Sequence, residues 1–300
     1  MTEERSALSI KFWGVRGSFP VPGPEAALFG GNTPCVEIRV GQRLFIVDAG
    51  TGIVGLGKSL CAAMPSRIDL LFSHLHLDHV LGLAFFAPAF SPLSRIVTHC
   101  GNLDGQSAQE PLDRLFSPPL FPVSLDGFLA DFDHRGFHSG ETLRFDEGIE
   151  VSTLPLKHPA GSTAYRFDHG GRSICYVSDV EHSHPWPPAP LVAFVERADL
   201  VVFDAMYTEG EYPRCQGWGH STLDCGIALC DAAGVGAIAA FHHNTCHDDA
   251  TLLVRDAELA ARRPGSFFAR EGQSLSFASL ATNAAASLAA EPAIAAGERG

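Results

Sequence analysis

The stretch Ser73-His74-Leu75-His76-Leu77-Asp78-His79 directly follows the apolar residues 68–72, which predict a buried β-strand. His74 and His76 point to the same side if the backbone stays extended, because side chains alternate along a strand. Asp78 and His79 then fall in the turn, or at the start of a helix. Imidazoles and a carboxylate gathered at one sheet edge suit zinc, manganese or iron. The pattern therefore predicts a metal site rather than a His-rich surface loop.

Length and composition set the class of protein. The chain has 300 residues with 46% hydrophobic content, enough for one large domain or two modest ones. It has no apolar stretch of membrane-spanning length and no basic-then-apolar signal at Met1, so we expect a soluble, cytoplasmic protein with no membrane partner. The net charge of −13, without any run of Lys or Arg, disfavours long nucleic acids as partners but not small phosphate esters.

The eight cysteines show no paired spacing and no compact framework. In a chain of this length they are typical of reduced, mostly buried thiols. Cys246 lies near a group of histidines and is a further candidate ligand.

The sequence predicts two runs of strands, with helices between and around them. Strands are expected at 10–15, 34–40, 43–47, 68–72, 95–100, 141–145, 149–156, 162–167, 173–177, 200–203 and 237–241, and helices at 54–63, 222–233 and 249–262. Residues 101–135 are interpreted as a helix followed by a long loop, a candidate lid over the site. Two sheets with helices outside them predict an α/β fold in one domain over residues 1–278, with a flexible tail at 279–300.

A centre that holds two metal ions needs ligands beyond the first cluster. His158, Asp179 and His242 each follow a predicted strand, as His74 does. Spacing alone does not rank His242 against its neighbours His243 and His247. Asp48 follows the strand at 43–47 and is interpreted as a brace that orients metal-binding loops through hydrogen bonds.

The order of these residues resembles the metallo-β-lactamase superfamily over about residues 8–277. The resemblance implies a four-layer αβ/βα sandwich and a centre of two divalent ions, with zinc the first expectation and manganese or iron accepted by the same ligands. His74, His76 and His158 would hold one ion. The second ion would be held by Asp78, His79 and His242, with Asp179 bridging the two.

Three local stretches resemble the ribonuclease Z and phosphodiesterase-like branch of that superfamily: Phe12-Trp13-Gly14-Val15-Arg16-Gly17-Ser18, Gly30-Gly31-Asn32-Thr33 and Gly219-His220-Ser221-Thr222. The resemblance implies that a metal-bridging hydroxide attacks phosphorus, that Asp78 orients the attacking oxygen, and that His220 protonates the leaving group. The alternative for His220 is a helix cap. Arg16 either holds a phosphate oxygen or is a solvated surface residue.

These features predict a phosphodiesterase for a small phosphodiester, such as a cyclic nucleotide or cyclic phosphate. The resemblance also agrees with a homodimer. A basic tRNA-binding arm is not found, which argues against a ribonuclease Z-like tRNA 3′-end endonuclease. A lactone, ester or lactam hydrolase could use the same ions. The non-hydrolytic alternatives are a metal-containing sensor and a redox-active diiron protein.

Overall fold

Two mixed β-sheets form the framework of the computed structural model, which describes residues 8–122 and 124–276. Within these ranges the strands are, in chain order, β1 (Leu8–Gly14), β2 (Cys35–Val40), β3 (Arg43–Val47), β4 (Arg67–Phe72), β5 (Arg95–Cys100), β6 (Asp131–Gly136), β7 (Thr142–Arg144), β8 (Glu150–Leu156), β9 (Ser162–His169), β10 (Arg172–Val177), β11 (Leu200–Asp204), β12 (Ala237–Phe241), β13 (Phe267–Phe268) and β14 (Ser274–Ser276).

The α-helices connect strands or cover the sheets. They are α1 (Ile53–Leu60), α2 (Leu77–Val80), α3 (Gln109–Leu115), α4 (Ala189–Phe194), α5 (Leu223–Ala232) and α6 (Asp249–Arg262). Over the part of the chain that the structure describes, no helix combines the length and the apolar character that a membrane span requires.

The strand order places the ends of several strands at one edge. The first sheet has the order β14-β1-β2-β3-β4-β5-β6 and the second the order β13-β12-β11-β10-β9-β8-β7. Strands β3 to β6 run parallel to one another, as do β10 to β13. Because parallel strands end at the same side of a sheet, the residues after β3, β4, β10, β11 and β12 are presented together.

The main core lies between the two sheets. Phe45 of β3 and Phe167 of β9 are fully buried, and their ring centroids lie 5.5 Å apart across this core. A second cluster packs the outer face of the first sheet against α1, and a third packs the outer face of the second sheet against α4 and α5. Helices therefore lie outside both sheets. The predicted four-layer αβ/βα sandwich is confirmed.

The segment 101–135 differs from its prediction. Its helix is present as α3, but the long loop ends in the strand β6, which pairs in parallel with β5 at the edge of the first sheet. The sequence of β6, Asp-Phe-Asp-His-Arg-Gly, is charged and leaves its side chains half-buried or exposed. An edge strand of this kind has no apolar alternation to reveal it. The tail predicted at 279–300 lies outside the described residues.

All eight cysteines are free thiols, as the spacing predicted. Four of them are buried, namely Cys35, Cys100, Cys175 and Cys230, so burial is less general than expected. Cys246 is exposed.

Candidate metal centre

The predicted ligands converge where strands of both sheets end. His74 follows β4, and His76 precedes the short helix α2, which carries Asp78 and His79. The second sheet contributes a residue after each of β8, β10 and β12. The structure brings together all seven predicted ligands: His74, His76, Asp78, His79, His158, Asp179 and His242.

Two groups of three donors can be distinguished within this cluster. The ligand atoms of His74, His76 and His158 lie within 4.8 Å of one another. We call them the first triad. The second triad is Asp78, His79 and His242, in which Oδ2 of the carboxylate lies 3.3 Å from Nε2 of each imidazole.

Asp179 lies between the two triads. Its Oδ2 is 3.3 Å from His79 Nε2, and its Oδ1 is 3.4 Å from His242 Nε2. The same Oδ1 is 3.8 Å from His158 Nε2 and 3.9 Å from His74 Nε2. One carboxylate therefore approaches both triads, which is the arrangement that a bridging ligand requires.

The donor atoms fit divalent metal ions. Two ligands at about 2.0–2.1 Å from one tetrahedral ion lie about 3.4 Å apart, close to the separations around Asp179. Among the described residues, the buried Nε2 atoms of His74 and His79 find no hydrogen-bond partner. An unpaired buried polar atom costs about 1–3 kcal/mol. An ion held by the first triad would satisfy the His74 nitrogen, and an ion held by the second triad would satisfy the His79 nitrogen.

The charges of the site favour the same conclusion. Burial lowers the pKa of His74 well below its usual value, which keeps the imidazole neutral. Burial alone would raise the pKa of Asp179, but the imidazoles of His242, His79 and His74 hold it well below its usual range. Burial alone would lower the pKa of His79, but the carboxylates of Asp179, Asp78 and Asp48 raise it well above its usual value. Neutral imidazoles and ionised carboxylates are the forms that bind a metal ion, so binding at the second triad would displace a proton from His79.

Asp48 braces the cluster from behind, as predicted. Its Oδ2 accepts hydrogen bonds from His79 Nδ1 and from the Tyr176 hydroxyl, each at 2.8 Å. Its Oδ1 accepts from the Ser73 amide at 2.7 Å. These bonds fix the His79 ring so that Nε2 faces the site.

The loop after β1 closes against the second triad. The Ser18 amide donates to Asp78 Oδ2 at 2.7 Å. A Cβ on Gly17 would lie 2.3 Å from His242 Nδ1, so a glycine is required there by close approach.

Arg16 is fully buried and donates to the carbonyls of Gly30, at 2.8 Å, and His247, at 2.6 Å. Arg16 is therefore a clamp between loops, which corrects both interpretations of it.

His220 borders the centre and is paired with a carboxylate. Its Nδ1 donates to Asp204 Oδ2 at 2.8 Å and lies 3.7 Å from Asp179 Oδ1. Burial alone would lower the pKa of His220, but the Asp204 carboxylate raises it to about 9. Thr222, rather than His220, caps α5 by accepting from the Cys225 amide.

The sequence prediction missed Asp204. A signal was available, because the apolar residues 200–203 end in this aspartate, as β10 is followed by Asp179. An acid at a strand end does not by itself reveal its partner, and His220 lies 16 positions further along the chain.

The neighbouring histidines serve local structure. His243 Nε2 donates to the Ala269 carbonyl at 2.7 Å, and burial lowers its pKa to about 3. His247 Nε2 donates to Glu211 Oε1 at 2.9 Å. The preference for His242 as the ligand therefore agrees with the geometry, and Cys246 is not among the clustered donors.

Residues 43–243 match the family described as the Beta-lactamase superfamily domain. Ribonuclease Z of Thermoplasma acidophilum is 23% identical, over 84% of this chain and 91% of its own length. Among solved structures, Zn(2+)-bound PqqB from Methylobacterium extorquens has a TM-score of 0.68 at 16% identity, covering 89% of this chain and 99% of its own. A diphosphatase of the PhnP family has a TM-score of 0.66 at 17% identity, covering 90% and 97%.

The chain belongs to the metallo-β-lactamase superfamily, and the proteins similar to it in sequence include ribonuclease Z. It is accordingly a hydrolase that depends on divalent metal ions. The expected resemblance is confirmed.

Replacement of Asp48 should weaken metal binding. In Asp48→Asn the amide cannot accept all the hydrogen bonds that orient His79, so we expect Zn²⁺ affinity to fall about 10–100-fold. Competition with a chromophoric chelator measures this. Tyr176→Phe is the matched control, because it removes only one bond to Asp48 and should have a smaller effect. Unchanged affinity in Asp48→Asn would show that the brace is dispensable.

Gly17→Ala should displace His242. The new methyl group would overlap the imidazole, so we expect fewer bound ions per chain with little change in the first triad. Metal analysis after dialysis measures the stoichiometry. Gly55→Ala is the control, since a Cβ at that helical position would meet its nearest neighbour, the Trp13 ring, at 3.4 Å. Full metal content in Gly17→Ala would contradict the close-approach argument.

Proposed function

We propose that this protein is a dinuclear phosphodiesterase that acts on a small phosphodiester, such as a cyclic nucleotide or a cyclic phosphate. The observation that carries the proposal is the His220–Asp204 pair at the border of the metal centre. This pair adds a proton carrier to the ligand set, and proton transfer to a leaving group is what cleavage of an alkyl phosphodiester needs.

The seven ligands would hold two ions. The first triad would hold one ion and the second triad the other, with Asp179 shared between them. Zinc is the first expectation, because imidazole and carboxylate ligands suit it, and manganese or iron would accept the same set. Bound divalent ions would supply positive charge at phosphorus and lower the pKa of a water molecule.

The side chains around the ions would orient the reaction. Asp78 is a member of the second triad and accepts a hydrogen bond from the Ser18 amide on Oδ2, so its carboxylate is oriented to accept a hydrogen bond from the attacking water as well. As the new bond from oxygen to phosphorus forms, the bond to the leaving oxygen breaks. Because Asp204 accepts the Nδ1 proton of His220, the proton on Nε2 is the one available to the leaving oxygen.

The comparisons support phosphoryl chemistry without naming the substrate. One structural neighbour is described as a diphosphatase, and the sequence relatives are described as ribonuclease Z. The net charge of −13 opposes a long polyanion, which favours a small phosphodiester over tRNA. A homodimer and a cytoplasmic location stay predictions.

Hydrolysis of bis(4-nitrophenyl) phosphate tests the reaction class. Purified protein should release 4-nitrophenol only when loaded with metal. His76→Ala removes a ligand of the first triad and should lose both bound metal and turnover. A protein that binds two ions, leaves phosphodiesters intact and opens lactones or esters would overturn the phosphodiesterase proposal in favour of carboxylic ester hydrolysis.

Replacement of His220 tests the leaving-group acid. 4-Nitrophenolate is a stable anion, whereas an alkoxide must be protonated as it leaves. We therefore expect His220→Asn to lower kcat on an alkyl phosphodiester by about 10²–10⁴-fold, and to lower kcat on bis(4-nitrophenyl) phosphate far less. Metal content must equal that of the wild type. Equal losses on both substrates would contradict the assigned role.

A further inference from the structure

His220 opens on a cavity of about 660 Å³. Its walls come from the loop that follows β11, from residues 244–246 and from Ser18. The volume lies in the range of small-molecule sites. If His220 protonates the leaving oxygen, as the proposed function requires, then this cavity lies on the leaving-group side of the substrate.

Trp218 supplies an aromatic side chain to the wall of this cavity. Its side chain is 62% exposed, although the loop around it is held firmly. The Glu181 carboxylate accepts from the Gly217 amide at 2.7 Å and from the Gly219 amide at 3.1 Å. Both glycines have positive φ, of +88° and +90°, which other residues rarely adopt. A large, exposed indole on a backbone that is held at both neighbouring residues is suited to stacking against a flat ring.

Arg214 provides a positive charge in the same cavity. Among the residues that the structure describes, its guanidinium has neither an ion-pair nor a hydrogen-bond partner, although acidic residues outnumber basic ones by 34 to 21. A guanidinium binds phosphate or carboxylate through a planar fork. Glu211 also lines the cavity, but its carboxylate already accepts from the Thr208 amide at 2.7 Å and from His247 Nε2 at 2.9 Å.

We propose that the leaving group combines a flat aromatic ring with an anionic group of its own, as in a nucleoside that carries a second phosphate. The ring would stack on Trp218, and the additional anion would bind Arg214. This inference rests on the proposed function and narrows its substrate class. The hydrolytic step is the one described above: water adds to phosphorus, and the nucleoside oxygen leaves with the proton of His220.

Three cyclic phosphates separate the contribution of ring stacking on Trp218 from that of anion binding by Arg214. Glycerol 1,2-cyclic phosphate has no ring, adenosine 2′,3′-cyclic phosphate adds the ring, and its 5′-phosphorylated form adds the second anion. For the wild type we expect kcat/KM to rise at each step, by about tenfold for the ring, as base stacking on an aromatic side chain is worth 1–3 kcal/mol.

Each substitution should remove one of these two increases in kcat/KM. Trp218→Ala should abolish the preference for the adenosine compound over the glycerol compound, and Trp218→Phe should keep most of it. Arg214→Ala should abolish the preference for the 5′-phosphorylated form, and Arg214→Lys should keep part of it. Leu93→Ala is a matched control for loss of an exposed apolar side chain, because Leu93 is 76% exposed and does not line the cavity. Metal content and melting temperature verify folding.

The outcomes distinguish this inference from the function on which it rests. Equal kcat/KM on the three compounds, or preferences that survive in Trp218→Ala and Arg214→Ala, would overturn the leaving-group assignment while phosphodiesterase activity stands. Hydrolysis of no phosphodiester at all would overturn the proposed function and this inference together.

Discussion

The buried carboxylate of Asp48 holds the two sheets in the relative position that the metal centre needs. It ends the first sheet's β3 and accepts hydrogen bonds from Ser73 and His79, after β4, and from Tyr176, in β10 of the second sheet. Burying an ionised carboxylate is energetically unfavourable unless its oxygens are hydrogen-bonded. Apolar side chains therefore could not replace these hydrogen-bond donors. The ligands after β4 and β10 are thereby fixed relative to each other before any ion binds.

The backbone at the strand ends carries a second constraint. Asp48, Asp179 and His242 have φ of 64°, 60° and 58°, in the left-handed region. Asp48 and His242 directly follow a strand, and Asp179 lies two positions after the last residue of β10. The turn in the backbone at each residue directs the side chain to the edge where the sheets meet. Such a conformation costs about 1–2 kcal/mol per residue, although Asp and His adopt it more readily than branched residues do. Backbone strain of this kind is common at functional sites, where the surrounding contacts hold the residue in the strained conformation.

Most ligands of the metal centre could be predicted because each one lies close in sequence to an apolar stretch that predicts a strand. The strand at 68–72 ends in the first histidine cluster, and His158, Asp179 and His242 each follow a strand of their own. The contacts that shape the surroundings are not local. Arg16 reaches a carbonyl 231 positions away, and Glu181 receives amides 36 and 38 positions away. No period or spacing encodes such contacts, so the clamp and the Trp218 loop required the folded structure.

The candidate metal centre and the cavity beside it are built from different parts of this chain. The ligands lie at strand ends, whereas the cavity wall belongs to loops held by other contacts. Buried Arg255 donates to the carbonyls of Ala205 and Tyr207, each at 3.0 Å, and its Nη1 lies 3.0 Å from His247 Nδ1. These bonds join the loop after β11 to helix α6 rather than to the triads. Relatives at 16–23% identity can therefore share the fold while their cavity loops differ. The substrate has to be inferred from the residues of the cavity itself, which include Arg214 and Trp218.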